Sequence, residues 1–148
     1  MKNRVLVIVL IIAGFISVRI FGSKLFYDPL IDFFHHSDYS KLQLPEMNMW
    51  KYAGSLMLRF LANSILTMAL VQVLFNSISL VKLTATILVG VFIILTPVLI
   101  LLIVNSDSEQ YRYLFYVRRI LIHPVITLVL IPALFYNQRM EISKSKKE

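Results

Sequence analysis

Long apolar runs broken at a few positions by charge set the pattern of this chain. The clearest extends from Leu83 to Val104, 22 residues without a charge. At about 1.5 Å of rise per residue it makes roughly 33 Å of helix, enough to cross a hydrocarbon core. Pro97 within it predicts a kink. Near the N-terminus, an uncharged run from Val5 to Val18 follows Met1-Lys2-Asn3-Arg4, as in a signal peptide. The residues after it, Arg19-Ile20-Phe21-Gly22-Ser23-Lys24, lack a small-x-small cleavage pattern, so 5–22 reads as a retained span. Two further spans carry charges near one end: 53–75 with Arg59, and 113–136 with Arg118, Arg119 and His123. Each keeps about 16 apolar-dominated residues beyond its charges, close to the shortest length that spans. The pattern predicts an all-α integral membrane protein, a single membrane domain over 1–148 with four transmembrane helices.

The connections between spans are unequal. Residues 76–82 make a tight inner connection and 105–112 a short outer one, but 23–52 form an outer loop of 30 residues. Loops of that length usually carry structure or function. Asp28-Pro29 is a helix start, because Asp caps free N–H groups and Pro suits the first helical position. Leu30, Ile31, Phe33 and Phe34 then alternate with Asp32, His35 and His36, predicting a short amphipathic helix lying in the outer interface. Trp50 and Tyr52 are expected to anchor the second span at headgroup level, and Tyr111, Tyr113 and Tyr116 to form an aromatic belt.

Composition removes other classes. Of 148 residues, 58% are hydrophobic and 16% charged, against about 25% charge in soluble domains. A water-soluble fold is excluded. In a soluble chain the net charge of +7 would point to nucleic acid; here it points to charges sorted about a bilayer, so no nucleic-acid partner is expected. Lys2, Arg4, Lys82, Arg139, Lys144, Lys146 and Lys147 lie on the side of the termini, against Lys24, Lys41, Lys51 and Arg112 in the opposite loops. The positive-inside rule then makes both termini cytoplasmic, with the basic flank of the first helix dominating and the tail 137–148 facing anionic lipids. The chain has no cysteine, hence no disulfide, thiolate metal site or cysteine nucleophile. Its four glycines, Gly14, Gly22, Gly54 and Gly90, are isolated and make no nucleotide-binding loop. Ser64 and Thr67 are hydroxyl candidates without an activating base or oxyanion hole at suitable spacing. Asp28, Asp32, His35 and His36 offer oxygen and nitrogen ligands on one helical face, but a solvated polar face is the simpler reading. No catalytic residue, cofactor or metal site is expected.

The arginines are the candidate chemistry. Counted from the inner ends of their spans, Arg19 lies 14 residues from Val5, Arg59 16 from Phe75, and Arg118 and Arg119 17 to 18 from Tyr136. All four fall in one layer near the outer leaflet. Arg59, Asn63 and Thr67 share a helical face, as do Arg112, Tyr116, Arg119, His123 and Thr127. Arg118 is turned by about 100° from Arg119. The inward set predicted from this spacing is Arg59, Asn63, Arg119 and His123, with Arg19 and Arg118 snorkelling to water and lipid phosphates. Three readings stay open: snorkelling, internal pairing with Asp28 or Asp32, and an anion site. His123, before Pro124, reads as a hydrogen-bonded structural residue ahead of a general base. The binding candidates are Arg19, Arg59, Asn63, Arg118, Arg119 and His123, with Tyr27, Asp28 and Asp32 docking the loop.

Two stretches carry a resemblance: Leu25-Phe26-Tyr27-Asp28-Pro29-Leu30 after the first span, and Phe115-Tyr116-Val117-Arg118-Arg119-Ile120-Leu121-Ile122-His123-Pro124 through Ile131-Pro132-Ala133-Leu134-Phe135-Tyr136 in the fourth. With the length and four-span layout, they resemble the exosortase F system-associated membrane proteins of Bacteroidota. The resemblance implies a bacterial inner-membrane protein that accompanies an exosortase-type transpeptidase as an accessory or assembly subunit. Exosortases use a cysteine nucleophile with arginine and histidine; without cysteine this chain is not that transpeptidase. The expected partners are membrane lipids and another, exosortase-like, integral membrane protein. The alternative is an enzyme or binding protein for a lipid-linked, polyprenyl-phosphate-like substrate.

Overall fold

The computed structural model describes residues 2–36, 38, 42–105 and 110–145. Parts of the predicted loops 23–52 and 105–112, and the last lysines of the tail, lie outside these described residues. The chain forms α1 (Lys2–Leu25), α2 (Leu30–His35), α3 (Met49–Phe75), α4 (Ile78–Val104), α5 (Tyr111–Ile122) and α6 (Val125–Ser145), with no strand among the described residues. Among the described residues, three helices are long and apolar enough to cross a membrane: α1 over Asn3–Gly22, α3 and α4. The bent pair Tyr111–Ile122 and Val125–Arg139 makes a fourth if it is one span. Large apolar side chains lie exposed along these helices, among them Val5, Leu6 and Leu10 on α1 and Ile93, Ile94 and Leu101 on α4. Together these features suggest a multi-pass membrane protein.

Local chemistry sets the helix ends. The Asn48 side chain accepts from the Lys51 N–H at 3.2 Å and starts α3 four residues ahead of the predicted span. Asn76 closes α3 in the left-handed region at φ 49°, where asparagine is among the tolerated residues. Ser77 then caps α4 through the Leu80 N–H. The connection between α3 and α4 is thus two residues, tighter than the predicted 76–82. α4 continues as one helix through Pro97.

The predicted span 113–136 is not one helix. Pro124 has no N–H and disfavours helical geometry in the residue before it, and His123 is extended at φ −101°, ψ 152°. α5 and α6 therefore meet at 61°. This break overturns the continuous face expected from Arg112 to Thr127.

α3 lies at the centre, packing α1 and α4, while α5 packs mainly on α4 with a smaller contact to α3. The core gathers where α2, α3, α4 and α5 meet, around Leu30, Phe33, Tyr52, Leu56, Phe60, Leu88, Leu99, Tyr111, Leu114 and Leu121. α2 presses its apolar side into this core: Leu30 and Phe33 are buried, and Phe33 meets Tyr111 edge-on at 5.3 Å. Each such side chain contributes about 1.5–3 kcal/mol relative to exposure in water. Tyr52 is likewise a core residue and not a headgroup anchor, since it sits a turn from Leu56 on the packed face of α3; Trp50 is exposed.

A candidate anion site built on an arginine–aspartate–arginine triad

Asp28 does not cap α2. The N-cap position belongs to Pro29, and no side chain bonds the free N–H groups there. Instead, Asp28 Oδ2 accepts from Arg59 Nη1 at 2.8 Å and from Arg118 Nη2 at 2.6 Å. The three side chains are 4%, 5% and 11% exposed respectively, so one carboxylate is shared by two buried guanidiniums. Charge-assisted bonds in such surroundings are among the stronger ones available to a protein. The pairing joins positions 31 and 90 residues apart and seats the segment that follows α1 on α3 and α5.

Further contacts fix the triad. Arg59 Nη2 donates to the Gly22 carbonyl. A Cβ at Gly22 would lie 3.5 Å from Arg59 Nε, an ordinary van der Waals contact, so α1 passes directly beside the guanidinium. Phe26 stacks under Arg59 at 5.2 Å and Phe34 under Arg118 at 5.8 Å. Tyr27 ties the loop to α3 twice, donating its N–H to Ser55 Oγ at 3.0 Å and accepting the Asn48 N–H at its hydroxyl at 3.4 Å. Asp32 is exposed, turned away on the opposite side of α2 from Leu30 and Phe33, and pairs with no arginine among the described residues.

Below the triad, Asn63 Nδ2 donates to the Ile122 carbonyl at 2.8 Å, bracing the end of α5 at the proline break. Thr67 Oγ1 donates to the Asn63 carbonyl at 2.7 Å, so the Thr127 hydroxyl, 2.6 Å away, must donate to Thr67. Thr127 is therefore buried in the bundle, whereas Arg119 is exposed. The predicted inward arginine is corrected from Arg119 to Arg118: Arg118 is buried and paired, Arg119 exposed. The apolar residues Leu114, Leu121 and Tyr111 decide this rotation by taking α5 into the core, and Arg118 shares their side.

All six binding candidates nevertheless line one cavity of about 400 Å³. α1 supplies Arg19 and Gly22; α2 supplies Phe34 and His35; α3 supplies Arg59 and Asn63; α5 supplies Phe115, Arg118 and Arg119; the break supplies His123. Four guanidiniums stand against the single Asp28 carboxylate, an excess of three positive charges with the histidines neutral. Arg19 and Arg119 have no ion pair among the described residues; Arg119 lies over Phe115 at 5.9 Å. Arg59 Nε and Arg118 Nε are buried without an acceptor. His35 Nδ1 must donate to the Ile31 carbonyl, 2.9 Å away, because the carbonyl only accepts, which leaves Nε2 open. The wall offers N–H donors and, among the described residues, no serine, threonine, tyrosine or cysteine. His35, His36 and Asp32 are exposed while Asp28 is turned to the arginines, so these four do not gather as metal ligands.

Compared with models of protein families, with curated proteins and with solved structures, the chain matches none. Gly22, Ser55 and Phe34 were not among the sequence candidates. Gly22 alone carried a signal, as a side-chain-free position three residues after Arg19 on α1.

Proposed function

We propose that this chain is a non-catalytic accessory subunit of an extracytoplasmic, exosortase-type protein-sorting system in a bacterial inner membrane. It crosses four times, counting α5 and α6 as one broken span, with both termini cytoplasmic and α2 at the outer interface. Its arginine cavity docks an anionic group of that system. The observation that carries the reading is the convergence of Arg19, Arg59, Asn63, Arg118, Arg119 and His123 on one cavity with a net positive charge. Ionisable groups at membrane depth are costly and mark functional sites more often than not. The resemblance of the 25–30 and 115–136 stretches to exosortase-associated membrane proteins supplies the biological setting.

Structural pairing alone would need only enough cations to match Asp28. Arg59 and Arg118 already hold it, so Arg19 and Arg119 are surplus to the fold. The test is a nanodisc pull-down of the tagged full chain, with mass spectrometry of proteins and lipids, alongside surface-protein sorting in cells. Wild type retains an integral membrane partner, and R19A/R119A loses it and impairs sorting at unchanged thermal stability. Retention of the partner and normal sorting in R19A/R119A would refute the docking role.

A further inference from the structure

The nature of the anion follows from four features of the cavity, given the docking reading above, on which this inference rests. We propose that the cavity takes the phosphomonoester headgroup of a membrane lipid, whose chain leaves sideways between α1 and α5.

Charge comes first. The excess of three positive charges is left after Asp28 has been satisfied. A phosphomonoester carries about −1.5 to −2 near neutral pH, whereas a phosphodiester or a peptide carboxylate brings one negative charge. In surroundings of low dielectric, the more highly charged headgroup gains more from each guanidinium. The donors come second. Arg59 is 4% exposed and its Nε–H has no acceptor. Arg118 Nε is in the same state beside it. All four arginines line the one cavity, and a planar guanidinium fork is the group best suited to phosphate oxygens.

The third feature is the apolar part of the cavity wall, on the same two helices that carry Arg19, Arg118 and Arg119. Phe15, Val18, Phe115 and Ile122 give the cavity an apolar flank on α1 and α5. A free phosphate has no use for such a surface; a lipid chain does. Finally, size and access agree. At about 30 Å³ per water, the cavity of about 400 Å³ is larger than a phosphate group needs. α1 has its main seat on α3 and α5 on α4, so no principal helix–helix seam closes the gap between them.

The experiment uses the purified full chain in phosphatidylcholine nanodiscs doped, at equal mole fraction, with dioleoyl phosphatidate or dioleoyl phosphatidylglycerol. Native mass spectrometry reads retained lipid, and inorganic phosphate is added as competitor. The expected result is retention of phosphatidate at least about tenfold over phosphatidylglycerol. R19A and R119A should each weaken it about tenfold without lowering thermal stability, because neither arginine has an ion pair among the described residues. Equal retention of the two lipids would overturn the phosphomonoester assignment. Displacement of phosphatidate by inorganic phosphate at comparable concentration would assign the site to free phosphate and overturn the lipid. If no lipid is preferred but R19A/R119A still loses its protein partner, this assignment falls while the docking reading stands; if neither effect occurs, both fall.

Discussion

Replacing Asp28 with alanine removes the one carboxylate that two buried guanidiniums share. Oδ2 takes hydrogen bonds from Arg59 at 2.8 Å and Arg118 at 2.6 Å. For exposed ions such a pair is worth about 0–1 kcal/mol. Here the side-chain exposures of 4%, 5% and 11% put the group in the buried regime. Removing one partner of a buried pair then costs about 3–5 kcal/mol, because it strands the other charge. Two charge-assisted bonds at about 1.5–3 kcal/mol each sum to about 3–6 kcal/mol, which overlaps that range. Equilibrium unfolding of the full chain in one detergent measures it, with proteolysis of the 26–36 segment as a second readout of loop release. Asp28→Ala should lose about 3–5 kcal/mol. Asp28→Asn should lose less, since its amide oxygen still accepts but carries no charge. The triple variant D28L/R59M/R118M, which leaves no charge to strand, should recover most of the loss. A loss below about 1 kcal/mol for Asp28→Ala, or a triple variant as unstable as the single, would refute the claim that burial makes this triad strong.

Other substitutions separate positions the sequence treats as equivalent. Arg118→Ala should destabilise by about 3 kcal/mol and Arg119→Ala by less than about 0.5 kcal/mol, read by the same unfolding; the opposite ranking would mean that α5 is rotated. Gly22→Ala should be tolerated, because the added Cβ sits at an ordinary 3.5 Å from Arg59 Nε. Gly22→Val should cost about 1–3 kcal/mol by driving a branch into the guanidinium, seen as a lower melting temperature. In the cysteine-free background, Gln43→Cys should react with an impermeant maleimide on intact cells and Ser145→Cys should not; the reverse labelling would overturn the proposed orientation.

The helical class and the membrane setting were legible along the chain because a span is a local property: about 20 consecutive apolar residues need no partner to declare themselves. That Arg19, Arg59, Arg118 and Arg119 could meet at one level of the bundle was legible for the same reason, since position along a helix is a count of residues from its end, and all four do line one cavity. Which arginine faces inward was not. Arg118 and Arg119 differ by about 100° of rotation, and that rotation is set by Tyr111, Leu114 and Leu121 entering a core whose other half comes from α2, α3 and α4. A heptad-like count across His123 also failed, because Pro124 bends the span by 61° and puts Thr127 on a different axis from Arg119.

Asp28 shows the same division. Locally, Asp-Pro is a helix start, and the short helix does begin there. The carboxylate is drawn elsewhere, because capping a six-residue helix offers a modest gain while two buried guanidiniums left without it would be far more costly. Residue order alone was enough to mark the apolar helical segments and the position of each charge along them. Which charges meet emerges from packing, because Gly22, Asp28, Arg59 and Arg118 belong to four separate segments, and burial, not sequence spacing, sets the strength of the contact between them.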